Sequence, residues 1–238
     1  MRRGRDLRRI GVVAALPAEA RCFAPRPGET AHLDPDVWLQ ISGPGPERAA
    51  RAANALLEVG CTALVSWGVA AGIASELAAG CLVLPECIVT GGERLPTDAP
   101  WRTALLGRVH DALPCSTGAL VHSDGVVASP RDKEELFRRS GAVAVDMESG
   151  AVARAAWRAG VPFLAVRVVA DPADLALPQA ALCALDADGR TRPMRILGAL
   201  VRRPREIPAL LRLARHFRAA RATLRTVTRV AGRRLAAP

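Results

Sequence analysis

The chain has 238 residues, half of them hydrophobic, and 33 basic against 23 acidic side chains give a net charge of +10. That is ample apolar material for a core, which excludes a disordered segment, and 3% aromatics with no tyrosine argue against the stacking platforms of single-strand nucleic-acid binders. Six cysteines without a CxxC, four histidines without an HExxH and no apolar run of about 18 residues argue against a zinc site, a redox dithiol and a membrane span.

Residues 1–9 read as a basic extension, and the short apolar run behind them has no cleavage site. The expectation is a reduced, cytoplasmic protein with no metal and no cofactor. Residues 10–15 (IGVVAA) predict a buried strand, and 39–42 a second one ending in Gly43-Pro44-Gly45-Pro46. Residues 47–59 have alanine and leucine at helical spacing with Gly60 behind them. A strand at 63–67 leads into a loop with Gly68 and Gly72. Strand pieces follow at 81–84, 87–90, 117–122 and 143–146, then a helix at 149–159 and a late strand at 162–169. Arg202-Arg203-Pro204-Arg205 reads as a hinge between two helices.

Charge is concentrated at the end of the chain. Residues 195–238 hold twelve arginines and one glutamate, so the rest is close to neutral. There Arg212, Arg215, Arg218, Arg221, Arg225 and Arg229 alternate with Leu210, Leu213, Phe217, Ala220, Leu224 and Val227 at spacings of three and four. The pattern predicts a basic amphipathic helix between Pro208 and Gly232. Three placements compete: packed on the core with its arginines in water, lying on an anionic membrane surface, or bound to nucleic-acid phosphates. The first two are favoured and are compatible, and no nucleic-acid partner is expected. Lys133 is the one lysine of the chain, and the excess of arginine reads as a compositional bias.

Strands and helices alternate, and the strands are continuous apolar runs, as in a mostly parallel sheet covered on both faces. One α/β domain is expected over 10–205, with 206–238 as the C-terminal helix. In such sheets chemistry gathers at the carboxyl ends of the strands. Those ends carry Glu19, Gly43 and Gly45, Gly68 and Gly72, Ser123 and Asp124, Met147 and Glu148, and Asp171, with Arg167 on the last strand. Three carboxylates and an arginine suit a reaction that develops positive charge and needs both an acid and a base.

Ordered segments then match a known family: IGVV at 10–13 with Glu19, SGPG at 42–45, SWGVAAG at 66–72, VDMESGA at 145–151 and RVVADPAD at 167–174. The chain resembles the nucleoside phosphorylase and nucleosidase superfamily, above all the methylthioadenosine/adenosylhomocysteine nucleosidases and the hopanoid-associated phosphorylases. The resemblance implies a three-layer α/β/α sandwich around a mixed, partly barrel-like sheet, and no cofactor. It implies that Asp171 gives a proton to purine N7, that Glu148 grips the ribose 2′-hydroxyl and that Met147 packs under the sugar. The bland readings are an N-cap for Asp171 and plain core for Met147.

Glu19 matches the carboxylate that activates water in the hydrolytic branch, whereas phosphorylases hold phosphate there. A carboxylate repels phosphate, with Arg21 as a partial offset, so water is favoured. Arg167 would position the nucleophile, and Gly68 and Val69 would border it. Val69 replaces a serine usual in relatives, Ala170 another, and Val126 and Val127 stand where an aromatic residue often meets the purine. The apolar stretch 175–178, leading to 186–189, lies where relatives shape the 5′ side of the sugar pocket. The expected activity is release of adenine from a 5′-substituted adenosine, first adenosylhopane in hopanoid side-chain formation, by hydrolysis at the inner membrane face. The alternatives are phosphorolysis, methylthioadenosine/adenosylhomocysteine hydrolysis, or a non-catalytic basic membrane-associated protein. A homodimer is expected, as among relatives.

Overall fold

The computed structural model describes residues 9–25, 28–182 and 204–237. The N-terminal extension up to residue 8, the segment 186–189 and Arg202-Arg203 lie outside the described residues.

Eleven strands form one mixed sheet: β1 (Ile10–Ala14), β2 (Thr30–Asp34), β3 (Val37–Ile41), β4 (Ala63–Gly72), β5 (Leu82–Val83), β6 (Cys87–Thr90), β7 (Glu93–Pro96), β8 (Cys115–Ser116), β9 (Leu120–His122), β10 (Ala144–Asp146) and β11 (Phe163–Asp171). Among the described residues the helices are α1 (Pro17–Phe23), α2 (Pro46–Glu58), α3 (Ala99–Val109), α4 (Pro130–Ser140), α5 (Ser149–Ala159), the short α6 (Gln179–Leu182) and α7 (Ile207–Ala231).

The sheet branches at β4. On one side β11 runs parallel to it from Leu64 to Ala71. On the other, β1 pairs with 63–67 and β10 takes over, antiparallel, at Ala71 and Gly72. One branch continues through β3 to β2, the other through β9 and β6 to β7, and the described strands close no ring. This is the mixed central sheet that the resemblance implies, unclosed among the described strands.

Alternate side chains feed two cores, as the period of two in a strand requires. Val12 of β1, Val65 and Trp67 of β4 and Leu164 and Val166 of β11 pack with α1, α3 and α7. Val13, Leu64, Ala165 and Val169 pack on the other face with α2 and α5. This is the three-layer sandwich. Strands buried on both faces have no polar alternation, which is why they were legible as apolar runs.

Three expectations are corrected. Residues 68–72 are strand, because Gly68 to Ala71 pair with β11 along its length. Residues 16–21 are mostly helix, with Pro17 at the first turn of α1. Helices α3 and α4 were not predicted, although Asp98 and Ser129 cap them by accepting from the amides of Trp101 and Asp132. Charge masks the pattern in α4, whose one fully buried side chain is Lys133. Helix α7 docks on the core: Ala220, Leu224 and Val227 are inaccessible, while Arg212, Arg215, Arg218, Arg225 and Arg229 are exposed.

Candidate active site

A cavity of about 280 Å³ opens at the carboxyl ends of β1, β9, β10 and β11 and beside the second half of β4. Its wall includes Glu19, Val69, Val126, Val127, Met147, Glu148 and Asp171. Gly68 and Arg167 are not part of the wall and stand behind it. Leu177, Leu213 and Phe217 complete the lining, the last two from α7.

Each acid is placed by a local device. Glu19 lies in the first turn of α1, where Oε2 accepts from the Leu16 amide at 2.8 Å and Oε1 from the Val69 amide at 2.9 Å. It is 2% exposed, and burial raises its pKa against the lowering pull of Arg167. Glu148 stands at the N-cap position of α5, where its side chain accepts from the Gly45 amide at 3.0 Å and not from the helix. Gly45 reaches that position at φ 100°, a conformation costly for any other residue. Burial lifts the Glu148 pKa to about 7, again opposed by Arg167, whose Nη2 is 3.8 Å away. The strand register slips between Val169 and Asp171, and that bulge turns Asp171 toward the cavity.

Asp171 is buried, and its pKa is pushed up to about 6, first by burial, with Lys133 opposing. Its Oδ1 lies 2.8 Å from Lys133 Nζ. Oδ1 is held by that ion pair alone, without hydrogen-bond geometry, and Oδ2 has no partner among the described residues, a costly state that a bound ligand would relieve.

Arg167 is 1% exposed and organises the wall from behind. It pairs with Asp146 at 2.7 Å, donates to Ser66 at 2.6 Å and Ser149 at 3.1 Å, and reaches the Val69 carbonyl at 3.3 Å. Gly68 is what admits it. A Cβ at position 68 would lie 2.6 Å from Glu19 Oε1 and 2.7 Å from Arg167 Nη1. Arg21 is exposed on α1 and does not line the cavity.

The cavity lining therefore holds four carboxylates, of Glu19, Asp146, Glu148 and Asp171, and no cation among the described residues. The rest is aliphatic apart from Phe217. Buried carboxylates with raised pKa values around an apolar cleft are the signature of acid–base chemistry. Sequence reasoning missed Asp146, Ser66 and Ser149 as the partners of Arg167, Leu213 and Phe217 as cavity lining, and Lys133. Only Lys133 carried a sequence signal, as the single lysine among 33 basic residues.

Comparisons with known proteins show the family and the fold. Residues 6–202 match a family model described as the phosphorylase superfamily. Futalosine hydrolase of Streptomyces coelicolor is 32% identical over 190 residues, 70% of this chain and 80% of that protein. The structure of futalosine hydrolase from Helicobacter pylori superposes with a TM-score of 0.67 at 17% identity, covering 94% of this chain and 98% of its own. The 5′-methylthioadenosine/S-adenosylhomocysteine nucleosidase of Neisseria meningitidis, in complex with methylthio-immucillin-A, gives 0.69 at 18% identity over 94% and 98% of the two chains. At such identities the two structures establish a shared fold.

Proposed function

The chain belongs to the phosphorylase superfamily, and from that premise we propose that it is a nucleosidase, hydrolysing the N-glycosidic bond of a purine nucleoside with a large apolar 5′ substituent. The observation that carries hydrolysis is the charge of the cavity. Phosphate would have to enter among four carboxylates with no lining cation among the described residues to hold it. Water meets no such penalty.

Asp171, with a free Oδ2 and a pKa near 6, gives its proton to N7 of the departing base. Glu148 holds the ribose hydroxyls and, as an anion, stabilises the positive charge that grows on the sugar. Met147 lies beneath it. Glu19, held by two backbone amides, takes a proton from the attacking water; its raised pKa makes it the stronger base once ionised. Arg167 acts through Asp146 and Glu148, fixing the wall instead of touching the nucleophile.

The 5′ substituent would follow the apolar side formed by Val126, Leu177, Leu213 and Phe217. Val126 is 56% exposed, so this side reaches solvent. A cavity of about 280 Å³ is at the low end of small-molecule sites, roughly 300–1,000 Å³. A nucleoside would fill it, and a lipid group would extend past this rim. Adenosylhopane, met at an anionic membrane through the exposed arginines of α7, is the substrate we favour. Futalosine is the second reading, supported by the Streptomyces coelicolor relative.

The test is base release by purified full-length protein from adenosylhopane in detergent, futalosine and methylthioadenosine, with and without phosphate. Adenine released from adenosylhopane without phosphate, and lost in Asp171→Asn, is the expected result. Turnover that needs phosphate would overturn hydrolysis, and turnover of futalosine alone would replace the substrate.

A further inference from the structure

The single lysine of the chain is fully buried, with no exposed surface, and it projects from α4 toward the acid. Its Nζ lies 2.8 Å from Asp171 Oδ1, 2.8 Å from the Pro172 carbonyl oxygen and 2.8 Å from the Leu175 carbonyl oxygen. We propose that Lys133 is a positioning residue for the acid: its ammonium ties Asp171 Oδ1 to the backbone of residues 172–175, leaves Oδ2 free for the departing base, and sets how readily that carboxylate takes up a proton. The proposal rests on the nucleosidase reading for the role of Asp171.

Two carbonyl oxygens accept hydrogen bonds from the ammonium, and the carboxylate oxygen lies beside it as an ion pair at the same distance. A guanidinium cannot replace it, because its donors lie in a plane on three separate nitrogens. This accounts for a lysine at this one position in a chain whose other 32 basic residues are arginine. Packing does not explain it. A buried ammonium is costly unless fully paired, and an aliphatic side chain would serve α4 better as its anchor. The charged groups that act on Asp171 are Lys133 from α4, which favours its anion, and Asp174 from its own loop, which disfavours it; Glu19 and Glu148 share its cavity. Lys133 therefore offsets the effect of burial and keeps the acid able to release its proton.

Asp171 can be titrated directly by carbon NMR of full-length protein labelled at the aspartate carboxyl groups. Its signal is the one missing from Asp171→Asn. In Lys133→Met the midpoint is expected to rise by about one pH unit or more, with the alkaline limb of kcat/KM for base release moving with it. In Lys133→Arg, where charge is kept, the midpoint is expected to stay near that of the wild type while kcat falls about tenfold or more at similar KM. A midpoint in Lys133→Met equal to that of the wild type would overturn the proposal, since a merely structural lysine leaves it unmoved. Should Lys133→Met fail to fold, Lys133→Arg decides, and an unchanged kcat there would overturn it. If no nucleoside is cleaved by any variant, the titration still judges Lys133, and the failure belongs to the functional reading.

Discussion

Asp171 combines two needs that oppose each other, since an acid must hold a proton in the resting site and part with it in the transition state. On the proposed roles, burial, which raises its pKa, supplies the first and Lys133, which lowers it, the second. Asp171→Asn is expected to lower kcat by about 10²–10⁴ with little change in KM, read by steady-state base release. The acid form is lost as pH rises through about 6, so kcat/KM of the wild type should decline above that pH. Glu148 gives a separate test through stability. Its folded pKa, about 7, lies above its ordinary value of 4.5, so the folded chain holds a proton that the unfolded chain releases. The stabilisation is full below the ordinary value and is lost as pH rises through the folded one. Melting temperatures should therefore fall between these limits, and fall less in Glu148→Gln, by roughly 2–4 °C for each kcal/mol of the difference.

Two neighbouring strands and one helix place the chemistry. β4 and β11 run side by side, and the glycine of one makes room for the arginine of the other at the Gly68–Arg167 register. Gly68→Ala would drive a methyl into Glu19 and Arg167. The expected result is a loss of activity of about 10²-fold or more, because both groups lose their positions, together with a lower melting temperature. Helix α7 has two jobs along its length. Leu224 is fully buried, and Leu224→Ala should cost about 2–5 kcal/mol in chemical denaturation. Phe217 lines the cavity about two turns before it. Phe217→Ala should raise KM for a substrate with an apolar 5′ group and leave KM for one with a small 5′ group nearly unchanged.

The net charge of the molecule lies in the C-terminal end of the chain, where five arginines of α7 are exposed. The C-terminal end is anchored by Ala220, Leu224, Val227 and Leu235, by the bond from Trp101 Nε1 to the Leu235 carbonyl at 2.8 Å, and by ion pairs of Arg233 with Asp34 and Arg234 with Asp36. Deleting the helix would thus remove core as well as charge. Changing Arg212, Arg215, Arg218 and Arg225 to glutamine removes charge alone, since all four are exposed. If α7 meets a membrane, these changes should abolish salt-sensitive sedimentation with anionic vesicles and leave base release from a water-soluble nucleoside intact. Equal sedimentation of both proteins would remove the membrane from the functional reading.

The layered α/β architecture, most of the sheet, helix α5 and the amphipathic end were legible in the sequence, because each rests on local periodicity: apolar runs for buried strands, three-and-four spacing for helices. The acids were legible because they sit in short blocks at strand ends, VDMES and RVVADPAD above all. Helix α4 was not, since its inner face is a lysine. That Asp146, Ser66 and Ser149 gather around Arg167, that α7 lends Leu213 and Phe217 to the cavity, and that Lys133 reaches Asp171 across 38 residues of chain depends on packing between segments far apart in sequence. Periodicity carries no information about such contacts. A bulge in β11 and a fork in β4 bring them about, and both arise only when the strands pair.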